Sequence, residues 1–96
     1  MEKSKILIIE GDLIKIVLPK ENSTQYQILE IAKREFTQEF EESLRKKDIK
    51  IYGKLPSGLA IFLGFKLKRI CKSVSAFDPR EGIYIKIFQK KGGENK

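Results

Sequence analysis

Two short segments carry residue types that can bind an anion or act on one. The segment Gly53-Lys54-Leu55-Pro56-Ser57-Gly58 follows an apolar run and precedes a helical pattern. At such a strand-to-helix turn, free backbone N–H groups and the positive end of the helix dipole favour an anion. The alternative is a plain turn with Pro56 at an early helical position. The segment can cradle a phosphate, but it is neither a P-loop, because the Gly-Lys-Ser/Thr ending is missing, nor a dinucleotide fingerprint.

The second segment, Asp78-Pro79-Arg80-Glu81-Gly82, places a carboxylate and a guanidinium two residues apart. Arg80 can clamp a phosphate, and Asp78 can hold a metal ion or act as a general base. The same residue types also form a good β-hairpin turn. Ligands of α/β sheets gather beyond the carboxyl ends of parallel strands, so we expect Gly53 and Asp78 to lie close together at one edge.

Positive charge dominates the chain between these two segments. The net charge is +7 over 96 residues, and the stretch between Ile49 and Phe77 holds six Lys or Arg residues and no acidic one. This pattern favours a polyanionic partner, with solubility as the ordinary alternative. Within it, Lys54 and Lys66 join the ligand-binding candidates. Three aromatic residues are candidates to stack on bases, with core or edge positions as the alternative: Tyr52, Tyr84 and Phe88.

The residues that are missing exclude several kinds of chemistry. The chain has no histidine and a single cysteine, Cys71. Triads built on histidine, histidine bases, histidine metal ligands and an internal disulfide are therefore excluded. Since Cys71 falls in an apolar helical segment, we expect a buried and inert thiol.

Apolar periodicity predicts a small single α/β domain over residues 1–89 and a disordered basic tail over 90–96. Two β-branched runs around Glu10-Gly11-Asp12 predict a hairpin. A helix is expected from Asn22-Ser23-Thr24 to Leu44, where apolar residues recur at every fourth position. The order is β-β-α-β-α-β-β, with a mixed five-stranded sheet packed against two helices. The remaining predicted elements are strands over Asp48–Tyr52, Val74–Phe77 and Ile83–Phe88 and a helix from Pro56 to about Cys71.

Apolar runs in the chain are too short to cross a membrane, since none approaches the ~18 residues of a spanning helix. No signal peptide is recognisable at the N-terminus. We therefore expect a cytoplasmic protein with no membrane partner.

The two segments, taken together with the helix between them, resemble the Csx-three ring nucleases, accessory proteins of type III CRISPR systems. The resemblance rests on Gly53-x-x-Pro56, the stretch from Leu59 to Lys66, Phe77-Asp78-Pro79-Arg80 and Gly82. The first half of the chain matches in element order alone. The resemblance implies a fold distantly related to Rossmann folds and to the nucleotide-sensing domains of CRISPR effectors, built as a homodimer.

The same resemblance implies a ligand and a reaction. The ligand is cyclic tetra-adenylate, held between two dimers, and its ring is cleaved with the aid of manganese. Asp78 and Arg80 match the family's acidic and basic positions, and Asp78 becomes the candidate metal ligand. The implied ligand-binding residues are Gly53, Lys54, Pro56, Ser57, Gly58, Lys66 and Arg80.

This chain departs from the family where histidines are expected. Those places hold Ala60, Phe65 and, within a residue, Arg69. Arg69 can stabilise a leaving oxygen, but it cannot accept a proton at neutral pH because a guanidinium stays protonated in proteins. Two outcomes stay open: a weak ring nuclease using Asp78, Arg80 and Arg69, or a protein that binds the messenger as a sink. The alternative function is a basic module that binds short RNA or another protein and has no catalytic activity.

Overall fold

A computed structural model describes residues 5–19 and 23–90 of the chain. Five strands and three helices appear there in the order β-β-α-α-β-α-β-β. Their bounds are β1 Leu7–Glu10, β2 Leu13–Ile16, α1 Gln25–Glu35, α2 Gln38–Leu44, β3 Asp48–Tyr52, α3 Ser57–Ile70, β4 Ser73–Asp78 and β5 Ile83–Gln89.

The five strands form one mixed sheet in sequential order, β1-β2-β3-β4-β5. The β1–β2 and β4–β5 pairs are antiparallel, whereas β2–β3 and β3–β4 are parallel. A hairpin therefore forms each side of the sheet, and two helical crossovers link the parallel strands between the hairpins. The α/β class and the mixed five-stranded sheet are confirmed.

All three helices pack on one face of this sheet. Two successive right-handed crossovers that move in the same direction along a sheet place their helices on the same side. One core accordingly joins buried residues of the helices, such as Ala32, Leu44 and Leu63, to buried residues of the strands, such as Ile14 and Ile49. Among residues 5–19 and 23–90 no helix lies on the opposite face, so the likeness to a doubly wound Rossmann fold is loose.

The predicted helix from Asn22 to Leu44 is wrong in one respect, because the structure contains two helices there. Helix α1 ends at Glu35, and Phe36 leaves the helical conformation with φ −87° and ψ 69°. The hydroxyl of Thr37 then accepts a hydrogen bond from the Phe40 N–H at 3.2 Å and caps α2. Threonine competes with helical hydrogen bonding in this way, whereas the four-residue apolar repeat continues through both helices.

The ends of the predicted elements also shift. Helix α1 begins at Gln25 with the expected capping box of Thr24 and Gln27, whereas Asn22 lies outside the described residues. At the other end, the Lys90 N–H donates to the Lys72 carbonyl at 2.9 Å. Residues 91–96 of the predicted tail lie outside the described part of the chain.

Helix α1 is tied to the first strand by a contact that the sequence pattern does not reveal. The Glu35 carboxylate, at the last position of α1, accepts hydrogen bonds from the Ile6 and Leu7 N–H groups at 2.8–3.0 Å. It thereby satisfies two donors at the start of the edge strand β1.

None of the helices in residues 5–19 and 23–90 is long and apolar enough to cross a membrane.

Candidate functional site

The two segments singled out in the sequence meet at one edge of the sheet. Strands β3 and β4 are parallel neighbours, and Ile51 pairs with Ala76 in their register. Gly53, just after β3, and Asp78, the last residue of β4, lie two positions further along and are therefore side by side at this edge. We call this the carboxyl edge: the loop from Gly53 to Gly58 together with the turn from Asp78 to Gly82.

Gly53 is required by the fold itself. Its φ is +125°, and a Cβ at this position would lie 2.7 Å from the Ile16 carbonyl oxygen. No L-residue with a side chain fits that approach without strain. The close contact holds the start of the loop against β2, which explains a glycine here without any ligand.

The start of α3 has fewer free donors than the sequence suggests. The helix begins at Ser57, and its N-cap residue is Pro56, whose side chain makes no capping hydrogen bond. The Gln25 side chain of α1 accepts a hydrogen bond from the Gly58 N–H at 2.9 Å. Within the described residues, the Ser57 and Leu59 N–H groups are the donors of the first turn that have no partner.

Asp78 shapes the turn that follows it. Its Oδ1 accepts a hydrogen bond from the Arg80 N–H at 2.9 Å, and its carbonyl accepts one from the Gly82 N–H at 2.7 Å. Gly82 has φ +71°, as a tight turn needs. The Arg80 side chain is exposed, and it is absent from the ion pairs formed among the described residues, which lie on α1 and α2. Arg80 is thus available to a ligand, whereas Asp78 already has a structural role.

Two predicted site residues lie away from the carboxyl edge. Arg69 follows Ser57 by twelve residues in the same helix, which places it about 18 Å further along the axis. Its carbonyl lies near Lys90, at the opposite edge of the sheet. The Lys66 ammonium lies over the rings of Phe36 and Phe62, 5.6 and 5.9 Å from their centroids.

The positive charge between Ile49 and Phe77 is therefore dispersed in space. Of the six Lys and Arg residues in this stretch, Lys54 alone belongs to the loop from Gly53 to Gly58. The others lie on the open sheet face, against the α1–α3 interface, or at the far end of α3: Lys50, Lys66, Lys68, Arg69 and Lys72.

A manganese ion finds too few ligands here. Among the described residues no three His, Cys, Asp or Glu side chains come close enough to hold a metal. Asp78 is a single carboxylate, and one of its oxygens already accepts from the Arg80 N–H. The described residues present at this edge do not fit a resident metal.

Two cavities of the structure lie away from the carboxyl edge. One cavity of about 400 Å³ is lined by residues of β1, α1 and α2, including Glu35 and Phe40. A second, of about 330 Å³, lies between α2 and α3 beside Arg45 and Arg69. Neither cavity is lined by the loop or the turn of the carboxyl edge.

A further group of residues lies on the face that no helix covers. Tyr52, Phe77 and Tyr84 follow one another across β3, β4 and β5, with ring centroids 5.0 and 5.2 Å apart. The Lys50 ammonium lies 5.1 Å from the centre of the Tyr84 ring. Sequence reasoning considered both tyrosines as stacking residues, but it counted Lys50 only among the cations and Phe77 only in the Asp-Pro-Arg motif. Period-2 alternation in β3 and β4 places them on this face, although the row itself depends on strand register.

The other side chains considered in the sequence have ordinary surroundings. Phe88 and Phe62 are half-buried against the core, whereas Phe65 is 65% exposed. Cys71 is buried, as expected, and burial raises the pKa of its thiol to about 11. A thiol so rarely deprotonated is a poor nucleophile.

No family model, curated protein or solved structure matches the chain.

Proposed function

We propose that this protein binds a cyclic oligoadenylate, cyclic tetra-adenylate in particular, at the carboxyl edge, as a component of type III CRISPR defence. The observation that carries the proposal is the meeting of two segments 25 residues apart in sequence. Gly53-x-x-Pro56 and Asp78-Pro79-Arg80 are the motifs on which the resemblance to the Csx-three ring nucleases rests. Their juxtaposition is what a shared ligand site requires.

The binding chemistry comes from fixed donors and exposed cations. The Arg80 guanidinium can make paired hydrogen bonds to a phosphate. The Ser57 and Leu59 N–H groups add donors at the positive end of the α3 dipole, and Lys54 adds a charge. Four phosphates in one ring would suit several such sites arranged around it, which is more than one copy of this small edge provides.

The small number of donors and cations at the edge supports assembly of several copies around the ligand. We propose a homodimer whose dimers stack on the ring and enclose it. Exposed apolar residues are available for contacts between copies: Ile61, Phe65, Ile83, Ile85 and Ile87. Surfaces of this kind on small domains are commonly buried on association.

The residues of the site support binding of the ring better than its cleavage. Opening the ring needs a 2′-hydroxyl to be activated, and the chain offers no histidine for this. Asp78 is engaged in its turn, and Arg69 lies at the opposite end of α3. The protein therefore acts as a messenger sink, with any ring opening limited to what alignment and positive charge supply.

Titration of labelled cyclic tetra-adenylate tests this function. Arg80→Ala should weaken binding by about 1.5–3 kcal/mol, the usual contribution of a hydrogen bond to a charged group. Its unfolding midpoint should equal that of the wild type, since the exposed side chain packs on nothing. The control is Arg34→Ala, which removes the same charge from the exposed face of α1 and should leave the affinity unchanged.

Asp78→Asn separates the turn from the charge. The amide oxygen can still accept from the Arg80 N–H, so the turn should persist, and loss of a negative charge near phosphate should maintain or tighten binding. Equal affinity for the ring and for linear RNA of the same charge would contradict the proposal. An unchanged affinity in Arg80→Ala would contradict the assigned contact.

A further inference from the structure

The face of the sheet opposite the helices carries a row of side chains across four strands. Lys15 in β2 pairs with Tyr52 in β3, and Phe77 in β4 pairs with Tyr84 in β5. The Phe77 ring lies between the two tyrosine rings, 5.0 Å from one and 5.2 Å from the other. We call Tyr52, Phe77 and Tyr84 the aromatic row.

The aromatic row is open to solvent at both ends. Tyr52 is 43% exposed and Tyr84 is 36% exposed, while Phe77 between them is half-buried. The rings are tilted by 44° and 59° from one to the next, so each tyrosine ring packs against the Phe77 ring at an angle. Each tyrosine is held in place by its neighbour and still presents ring surface outward.

Lysines flank the aromatic row on two sides. Lys15 continues it onto β2, and the adjacent row across the strands is Lys50, Ser75 and Lys86. The Lys50 ammonium already lies against the Tyr84 ring. Two acidic residues share the face but lie to its sides: Glu10 in the edge strand β1, and Asp48, whose carboxylate accepts a hydrogen bond from Ser73 at 2.6 Å.

We propose that this face binds single-stranded RNA, with bases stacked on Tyr52 and Tyr84 and phosphates against Lys15, Lys50 and Lys86. Aromatic rings stack on any base, and nearby cations neutralise the phosphates that join the bases. A base can replace the Lys50 ammonium on the Tyr84 ring, and the lysine then meets the adjoining phosphate. The surface is distinct from the donors of the carboxyl edge, and the inference does not depend on the proposed function.

Charge favours RNA over a second copy of this chain as the occupant. A symmetric pair of sheets stacked through this face would bring the lysines of one copy against those of the other. Such like-charge contacts are unfavourable in a desolvated interface. A polyanion satisfies the same lysines and needs no further residue.

Fluorescence anisotropy with a short labelled single-stranded RNA tests the assignment. Tyr52→Ala and Tyr84→Ala should each weaken binding at least about 5-fold, the lower end of what one stacked base contributes. Tyr26→Ala is the matched control, because Tyr26 is 71% exposed on α1 and away from the sheet face. Lys50→Gln should lower the dependence of affinity on salt, and it should do so more than Lys68→Gln on α3.

A second pair of variants guards against misfolding. Tyr52→Leu and Tyr84→Leu keep an apolar side chain on the sheet but remove the ring, and they should lose RNA affinity while unfolding as the wild type does. Duplex RNA should bind more weakly than single-stranded RNA, because its bases are already stacked.

Three results would overturn the proposal: equal binding of single-stranded and duplex RNA, unchanged affinity in both leucine variants, or a change of oligomeric state in those variants with RNA binding intact. The last would assign the face to a second copy. Arg80→Ala distinguishes the two surfaces, since it should weaken ring binding and leave linear RNA binding unchanged.

Discussion

Replacement of Gly53 by alanine tests whether the first motif residue serves the fold or the ligand. A side chain at φ +125° costs of order 1–3 kcal/mol, and a Cβ placed 2.7 Å from the Ile16 carbonyl oxygen adds a backbone clash. Overpacking typically costs about 1–3 kcal/mol. The sum is about 2–6 kcal/mol, a large part of the roughly 5–14 kcal/mol expected for a domain of this size.

Urea unfolding followed by circular dichroism measures this loss. Gly53→Ala should lower the midpoint without changing the slope, and the melting temperature should fall by at least about 8 °C. Gly64→Ala is the matched control, because the structure shows open space around that position within α3. It should raise stability by about 0.5–1 kcal/mol. If Gly53→Ala unfolds like the wild type and loses ring binding alone, the structural reason given for this glycine is wrong.

Two further predictions concern the stability of the fold, through the Glu35 carboxylate and the buried Cys71 thiol. Glu35→Ala should lower the free energy of unfolding by about 1.5–3 kcal/mol, since the Ile6 and Leu7 N–H groups lose their acceptor. Glu35→Gln keeps an acceptor and should lower it less. Equal losses in the two variants would contradict the role given to these hydrogen bonds. Burial raises the pKa of Cys71 from 9.0 to about 11, so its contribution to stability is complete below pH 9.0 and is lost as pH rises through 11. Unfolding measured across that range should show a loss of about 1–3 kcal/mol that is absent in Cys71→Ala, and alkylation of the folded thiol at pH 8 should be slow.

Most elements of the fold could be predicted because their signals are local. Gly11 marks the first hairpin, the Asp78–Gly82 turn marks the last, and alternation in β5 marks a strand. The break between α1 and α2 is hard to predict because Thr37, which caps α2, is a weaker signal than the four-residue apolar repeat around it. The apolar repeat through Phe36 and Phe40 is uninterrupted, and a threonine hydroxyl at position 37 is a common residue in helices as well as at their caps.

The sites were harder to predict because they depend on distance through space. Charge counted along the sequence suggested one basic region from Lys50 to Lys72. The α3 crossover instead runs from the carboxyl edge to the opposite edge, so Lys54 and Lys72 lie at different ends of the molecule. Alternation along a strand predicts on which face of its own strand Tyr52 or Phe77 lies. Only the register of the two parallel strands makes the two residues neighbours.

One structural unit serves both proposed surfaces. Strands β3 and β4 end in equivalent pairs, Tyr52-Gly53 and Phe77-Asp78, which the register places side by side. Because side chains alternate along a strand, the first residue of each pair faces the open sheet surface and the second begins the carboxyl edge. The two strands thus supply stacking surface and anion-binding backbone from adjacent residues. Neither surface includes a histidine or a cluster of carboxylates, and Arg69 lies on neither. These positions fit the proposed recognition of a nucleic acid, and ring opening at the carboxyl edge would have to rely on the Asp78 carboxylate, whose Oδ1 already accepts from the Arg80 N–H.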